Sequence, residues 1–165
     1  MDENIYPLEN GGVGTFDDHK NNARINYRGH LTGIVVDDSL DIVELFSTCL
    51  ELKGIKVLGK GYDGNDAFEL FKQLRPDIVF LDIMMPRYDG FYALEKIREI
   101  DPQAKILMVT ADLTTATAER LKGLPSTAVI YKPFDFDVLL RTIDMLMHSS
   151  VLNNMAFDGS SVSVL

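Results

Sequence analysis

Five short apolar runs, each followed by a stretch of helical length, constrain this chain more than any other feature. The runs are GIVV (33–36), IKVLG (55–59), DIVFL (77–81), KILMV (105–109) and TAVIY (127–131). The stretches that follow them span 40–53, 65–74, 91–100, 114–122 and 135–148. Strands that are apolar throughout, rather than at alternate positions, are covered by helices on both faces. Regular βα alternation then implies helical crossovers and parallel pairing: an α/β fold with a five-stranded parallel sheet and five helices. In the first helical stretch, Ile42, Leu45, Phe46, Cys49 and Leu50 fall on one face at 3.6-residue spacing. Ser39 is placed to cap that helix and Gly54 to end it, while Pro76 and Pro102 each precede a strand.

The residues just after the runs carry the chemistry. Asp37 and Asp38 follow the first run, Asp82 the third, Thr110 the fourth, and Lys132 with Pro133 the fifth. Ligands of open α/β sheets bind beyond the carboxyl ends of the strands. Four strands thus bring three carboxylates, a hydroxyl and an ammonium to one edge. Three crowded carboxylates repel one another unless a cation intervenes. Hard oxygen donors, few in number, suit Mg²⁺. A lysine is redundant for the metal, but it neutralises an arriving anion such as a phosphoryl group. A carboxylate can act as nucleophile and form an aspartyl phosphate. Metal, lysine and hydroxyl would then neutralise charge on the transferring oxygens. Asp82 is central and carries its own loop, within PDIVFLDIMMPRYDG (76–90), so it is the expected acceptor.

Composition closes off other classes. The formal net charge is −9 and no basic run occurs, which argues against nucleic acid as the direct partner. The single cysteine, Cys49, forms no intramolecular disulfide, is expected to be a small buried thiol, and suits a reducing compartment. The N-terminal MDENIYPLEN lacks the basic-then-apolar pattern of a signal peptide. Apolar runs such as ILMV fall far short of the roughly 20 residues that span a bilayer. The expectation is a soluble, cytoplasmic protein with no membrane insertion. Residues 1–30, with NGGVG and DDHKNN, read as a flexible extension, 31–148 as one domain and 149–165 as a tail. His19, His30 and His148 show no metal-ligand spacing, and His148 suits a helix C-terminus.

Four motifs now stand in order on the βα pattern: VDD (36–38), D-x-x-M-P-x-x-D-G (82–90), VTA (109–111) and YKPF (131–134). Together they resemble the response-regulator receiver domain of two-component signalling, over residues 31–148. The resemblance implies a flavodoxin-like, doubly wound sheet of strand order 2-1-3-4-5. It implies that Asp82 takes a phosphoryl group from the phosphohistidine of a histidine kinase or histidine phosphotransfer protein. Asp38 would ligate Mg²⁺ directly and Asp37 more through water, with Asp82 and the backbone carbonyl of Met84 completing the set. Thr110 would hydrogen-bond a phosphoryl oxygen, Lys132 would pair with the phosphoryl group, and the Lys132–Pro133 bond would be cis. Gly90 permits the turn into the third helix. Such a domain is a switch rather than an enzyme, and its output would be protein contact with a target or a second copy.

The chain departs from the family pattern at Val129, where the family often has the Tyr or Phe whose rotation reports phosphorylation. Tyr131 lies two residues on, facing the same side of the strand. KGLPSTAV, before the fifth run, lacks the small Gly-Ala pair common there. Met84 and Asp112 occupy the positions that tune dephosphorylation; Met84 would not position an attacking water, and Asp112 offers a carboxylate. Two competing readings follow: a receiver that signals without phosphorylation, and a Mg²⁺-dependent phosphohydrolase with an Asp nucleophile. The second carries Asp-x-Asp at its first strand, which Asp37-Asp38-Ser39-Leu40 lacks.

Overall fold

The computed structural model describes residues 4–7, 13–16, 31–112, 114–122, 127–148 and 162–164. Two short strands come first, β1 (Asn4–Pro7) and β2 (Val13–Phe16), paired antiparallel as a hairpin. Within the extension, residues 4–7 and 13–16 thus form a hairpin. Residues 1–3, 8–12 and 17–30 of the extension lie outside the described residues, as does its expected flexibility. The main unit then runs β3 (Leu31–Val36), α1 (Leu40–Leu52), β4 (Ile55–Gly61), α2 (Gly64–Leu74), β5 (Ile78–Leu81), α3 (Gly90–Ile100), β6 (Ile106–Thr110), α4 (Thr115–Leu121), β7 (Thr127–Tyr131) and α5 (Phe136–His148). A last strand, β8 (Val162–Val164), closes the list.

The sheet order is β4-β3-β5-β6-β7-β8. Counting the five parallel strands from β3, this is 2-1-3-4-5. β8 joins the far side of β7 antiparallel, which the sequence reading left inside a tail. Three residues are too few for period-two patterning to declare a strand. The rest of that tail, residues 149–161 and 165, lies outside the described residues. Winding reverses between β3 and β5, because β4 lies on one side of β3 and everything later on the other. Val36 sits opposite Leu81, and the Asp82 N–H donates to the Val36 carbonyl at 2.9 Å, so Asp37 and Asp82 emerge side by side.

Alternate strand residues build two cores. Ile34, Val36, Val79, Leu81, Ile106, Met108 and Val129 meet Ala67 and Phe71 of α2 and Phe91, Leu94 and Ile97 of α3. Val35, Ile78, Phe80, Leu107, Val109, Ala128 and Ile130 meet Val43 and Leu50 of α1 and Leu139, Leu140, Ile143 and Leu146 of α5. Full burial of each large side chain contributes about 1.5–3 kcal/mol, so both layers hold the sheet firmly.

Helix α1 corrects the sequence reading. Its core face carries Val43, Ser47 and Leu50, whereas Ile42 is 40 % and Leu45 68 % exposed. Cys49 is half-buried rather than buried. The helix is apolar on more than one stripe, and spacing alone does not say which stripe meets the sheet. Ser39 holds the N-cap position but makes no capping bond with its side chain; its own N–H donates to Asp37 Oδ1 at 3.0 Å. Gly54 ends the helix with φ at 84°, in the left-handed region. Among the described residues, no helix is long and apolar enough to cross a membrane.

Candidate functional site

Asp37, Asp38, Asp82 and Lys132 converge at the carboxyl edge of the sheet. One oxygen from each of the three carboxylates lies within 4.8 Å of the others. Asp37 and Asp82 are only 5 % and 7 % exposed, while Asp38 faces solvent. Lys132 Nζ lies 2.5 Å from Asp37 Oδ2 and 3.5 Å from Asp82 Oδ1, so one ammonium offsets two buried charges. The strand ends impose this. Lys132 N–H donates to the Thr110 carbonyl at 2.8 Å, continuing the β6–β7 ladder one step beyond the Thr110–Tyr131 pair. The Lys132–Pro133 peptide is cis.

Burial pushes the Asp82 carboxyl up to about 6 and the Asp37 charge adds to the rise, while Lys132 and the Ile83 N–H oppose it. A residual excess of negative charge in a half-open pocket favours a cation. Three hard oxygen donors with one side open to water fit Mg²⁺, which keeps several of its waters. The residues present therefore suit the metal that the sequence reading expected.

The loop after Asp82 is shaped by glycine at two close approaches. A Cβ on Gly90 would lie 2.2 Å from the Asp82 carbonyl oxygen and 2.9 Å from Ile83 Cα, and the Gly90 N–H donates to the Ile83 carbonyl at 3.0 Å. A Cβ on Gly64 would lie 2.4 Å from the Asp89 carbonyl oxygen, and the Gly64 N–H donates to the Tyr88 carbonyl at 2.7 Å. The first turn of α2 is thereby fastened to the loop that follows Asp82. Asp89 caps α3 through Oδ1, which accepts from the Tyr92 N–H at 2.8 Å. Arg87 sits at φ 67°, strained for a residue with a Cβ, with its Nη2 3.5 Å from Asp63 Oδ2. The Met84 side chain is exposed beside this loop.

Sequence reasoning missed Asp63. Its Oδ1 accepts from the Asn65 and Asp66 N–H groups at 2.9 and 3.0 Å, capping α2, while Asp66 reaches back to accept from the Tyr62 N–H. An acid followed three residues later by a second acid, ahead of an amphipathic stretch, was the available signal.

On the other side of the site Thr110 is fully buried, and its hydroxyl accepts from the Asp112 N–H at 3.0 Å. Asp112 is half-buried, and both of its carboxylate oxygens are engaged. Its Oδ1 accepts from the Thr114 N–H at 2.8 Å and its Oδ2 from the Thr117 hydroxyl at 2.5 Å. These bonds hold its carboxyl below the usual range. Val129 is buried in the core, and Tyr131 packs against that same cluster.

Between α1 and the segment entering α5 lies a cavity of about 270 Å³ whose polar end is Asp37, Asp82 and Lys132. Its apolar walls include Ile42, Leu45, Phe46 and Cys49, side chains of α1 that flank its core stripe. Phe46 anchors them edge-on to Phe80 at 5.4 Å and Phe134 at 6.0 Å.

Known proteins match this arrangement. Residues 34–144 fit the family model described as the response regulator receiver domain. The chain is 35 % identical over 112 residues to the chemotaxis protein CheY of Treponema pallidum, covering 67 % of this chain and 78 % of that protein. It is 34 % identical over 114 residues to protein CcdB of Bacillus subtilis, covering 69 % and 95 %. Among solved structures it is similar to the CheX–CheY–BeF3–Mg complex from Borrelia burgdorferi, with a TM-score of 0.62, 31 % identity, and 70 % and 88 % of the two chains covered. A doubly wound sheet with this acidic, lysine-bridged edge and this run of matches makes the chain a member of the response-regulator receiver family of two-component signalling.

Proposed function

We propose that this chain is a phosphorylation-activated switch with Asp82 as its acceptor. The observation that carries the reading is the convergence of three carboxylates within 4.8 Å with Lys132 placed against two of them. An Asp82 oxygen attacks the phosphorus of a donor phosphohistidine. A P–O bond forms, the donor's P–N bond breaks, and the imidazole nitrogen keeps the electron pair. Asp37, Asp38, Asp82 and the Met84 carbonyl would hold Mg²⁺, which supplies charge neutralisation for the transferring oxygens. Lys132 pairs with the new phosphoryl group from its position near Asp82. The Thr110 hydroxyl already accepts from the Asp112 N–H, so its own proton is the one it has to give to a phosphoryl oxygen.

With Val129 in place of a rotating aromatic, Asp112 is the link from Thr110 to α4. It touches the Thr110 hydroxyl through its N–H and holds the first turn of α4 through its carboxylate. Movement of Thr110 toward the phosphoryl group thus pulls on α4 and shifts a pre-existing equilibrium at the α4–β7–α5 face, where a target protein docks. The donor, a histidine kinase or histidine phosphotransfer protein, docks on the α1 side of the site, where exposed Ile42 and Leu45 line the cavity that opens onto Asp82. The setting is the cytoplasm, which suits a lone free cysteine.

Intact-mass spectrometry after incubation with acetyl phosphate tests the acceptor. One phosphoryl group gained only with Mg²⁺, and none in Asp82→Asn, is the expected result. No gain in the folded, Mg²⁺-loaded chain would overturn it and favour a module that signals without phosphorylation.

A further inference from the structure

The strand that ends in Lys132 has a second edge. β7 pairs with β6 through Leu107–Ala128, Met108–Val129 and Val109–Ile130, which accounts for one side of its backbone. An uncovered edge strand offers unpaired N–H and C=O groups to any extended segment that arrives. Here the outer side is taken by the chain's own C-terminus: Ala128 faces Val164, Val129 faces Ser163 and Ile130 faces Val162, antiparallel. The same three residues of β7 are thus paired on both flanks.

We propose that the outer edge of β7 is a strand-docking site, and that the segment around Val162–Val164 is its resident occupant, held in cis. Three features argue for an occupant that comes and goes rather than a permanent sixth strand. The ladder is three residues long, against the five or six usual for a strand. It is antiparallel on an otherwise parallel sheet, so it stands outside the βα winding that builds the domain. Thirteen residues of sequence, 149–161, separate it from α5, so it is not a continuation of that helix. The segment itself, Val162-Ser163-Val164, places β-branched valines on either side of a small polar residue, side chains that suit extended backbone. The recognised chemistry is therefore a short extended peptide of alternating valine and small polar residues, bound by main-chain pairing. While it is in place, no other strand pairs with β7. The proposal rests on backbone pairing alone and stands or falls independently of phosphoryl transfer at Asp82.

The test uses the full chain, its Ser163→Pro variant, and Ser163→Thr as a control that keeps strand pairing. The probe is a fluorescein-labelled peptide of residues 159–165, read by anisotropy, alongside hydrogen exchange of residues 128–130. We expect Ser163→Pro to leave the domain folded, raise exchange at 128–130 by 10-fold or more, and bind the peptide at least 10-fold more tightly than the parent. Ser163→Thr should behave as the parent does. Equal peptide affinity for parent and Ser163→Pro, with exchange at 128–130 unchanged, would overturn the proposal. So would a parent that is a dimer by light scattering and becomes a monomer in Ser163→Pro, because the segment would then sit on a second copy.

Discussion

Helices α3 and α4 occupy equivalent slots, each one loop beyond a strand that ends at the site, yet they are held in opposite ways. α3 has eleven residues, buries Phe91, Ala93, Leu94 and Ile97, and starts at a glycine pressed against the Asp82 backbone. α4 has seven residues, buries Thr117 and Leu121, and is tied down by polar contacts from Asp112 and Thr114. Arg120 on α4 lies 3.6 Å from the Phe91 ring, one of the contacts between the two helices. Burying a large side chain contributes about 1.5–3 kcal/mol, whereas a typical hydrogen bond nets about 1 kcal/mol. One helix is therefore fixed by packing and the other by exchangeable bonds. In the proposed function, acceptor geometry belongs to the first and signal output to the second.

The largest expected effect attacks the fixed side. Gly90→Val forces a Cβ onto the Asp82 carbonyl and should cost about 3 kcal/mol or more, seen as a lowered urea midpoint. A loss near zero would mean that the α3 junction is as yielding as α4.

Asp82→Asn comes next and carries a pH signature. The folded carboxyl is raised from 3.8 to about 6, so the native state binds a proton that the unfolded state has lost. Stability should therefore fall as pH rises from about 4 to about 6, with the full cost present above that window. The variant should exceed the parent by about 2 kcal/mol at pH 7.5 without Mg²⁺, and the gap should close by pH 4. Adding Mg²⁺ should narrow it at pH 7.5, as urea titrations in each condition would report. A pH-independent gap would place the cost of Asp82 somewhere other than its charge.

A smaller effect tests the movable side. Asp112→Ala should lower stability by only about 1–2 kcal/mol while raising amide exchange in α4 several-fold, because it removes bonds to Thr114 and Thr117 but no core contact. The same variant should still gain a phosphoryl group from acetyl phosphate. Exchange that rises equally in α3 would erase the contrast between the two helices.

The smallest effect concerns α1. Leu45→Glu sits at an exposed position and should change stability by no more than about 0.5 kcal/mol and leave labelling by acetyl phosphate intact. Phosphotransfer from a histidine kinase that labels the parent should drop at least 10-fold. Unchanged transfer would move the donor off this flank.

What was legible in the sequence follows from periodicity. A continuous apolar run ends at a defined residue, so Asp37, Asp82, Thr110 and Lys132 could be placed at one edge before any coordinates. The fold order came from the motifs, since alternation alone does not number strands across a sheet. Helix α1 resisted because Leu40, Ile42, Val43, Leu45, Phe46, Cys49 and Leu50 wrap too far around it for one stripe to stand out. The bonds of Asp112 to Thr114 and Thr117 were not legible, because they exist only once α4 has formed. β8 stayed hidden because its partner, β7, lies far back in the chain and three residues carry little pattern.

The hydrogen bond from Gly64 to Tyr88 has a consequence for how this domain can be altered. It clips two separate loops at fixed spacing, with no room for a side chain between them. Neither loop can lengthen by itself, since an inserted residue on one side would have to be matched on the other. Anyone grafting the loop after Asp82 into a different scaffold would have to carry the β4–α2 turn along with it. The two behave as one cassette, although they are encoded apart.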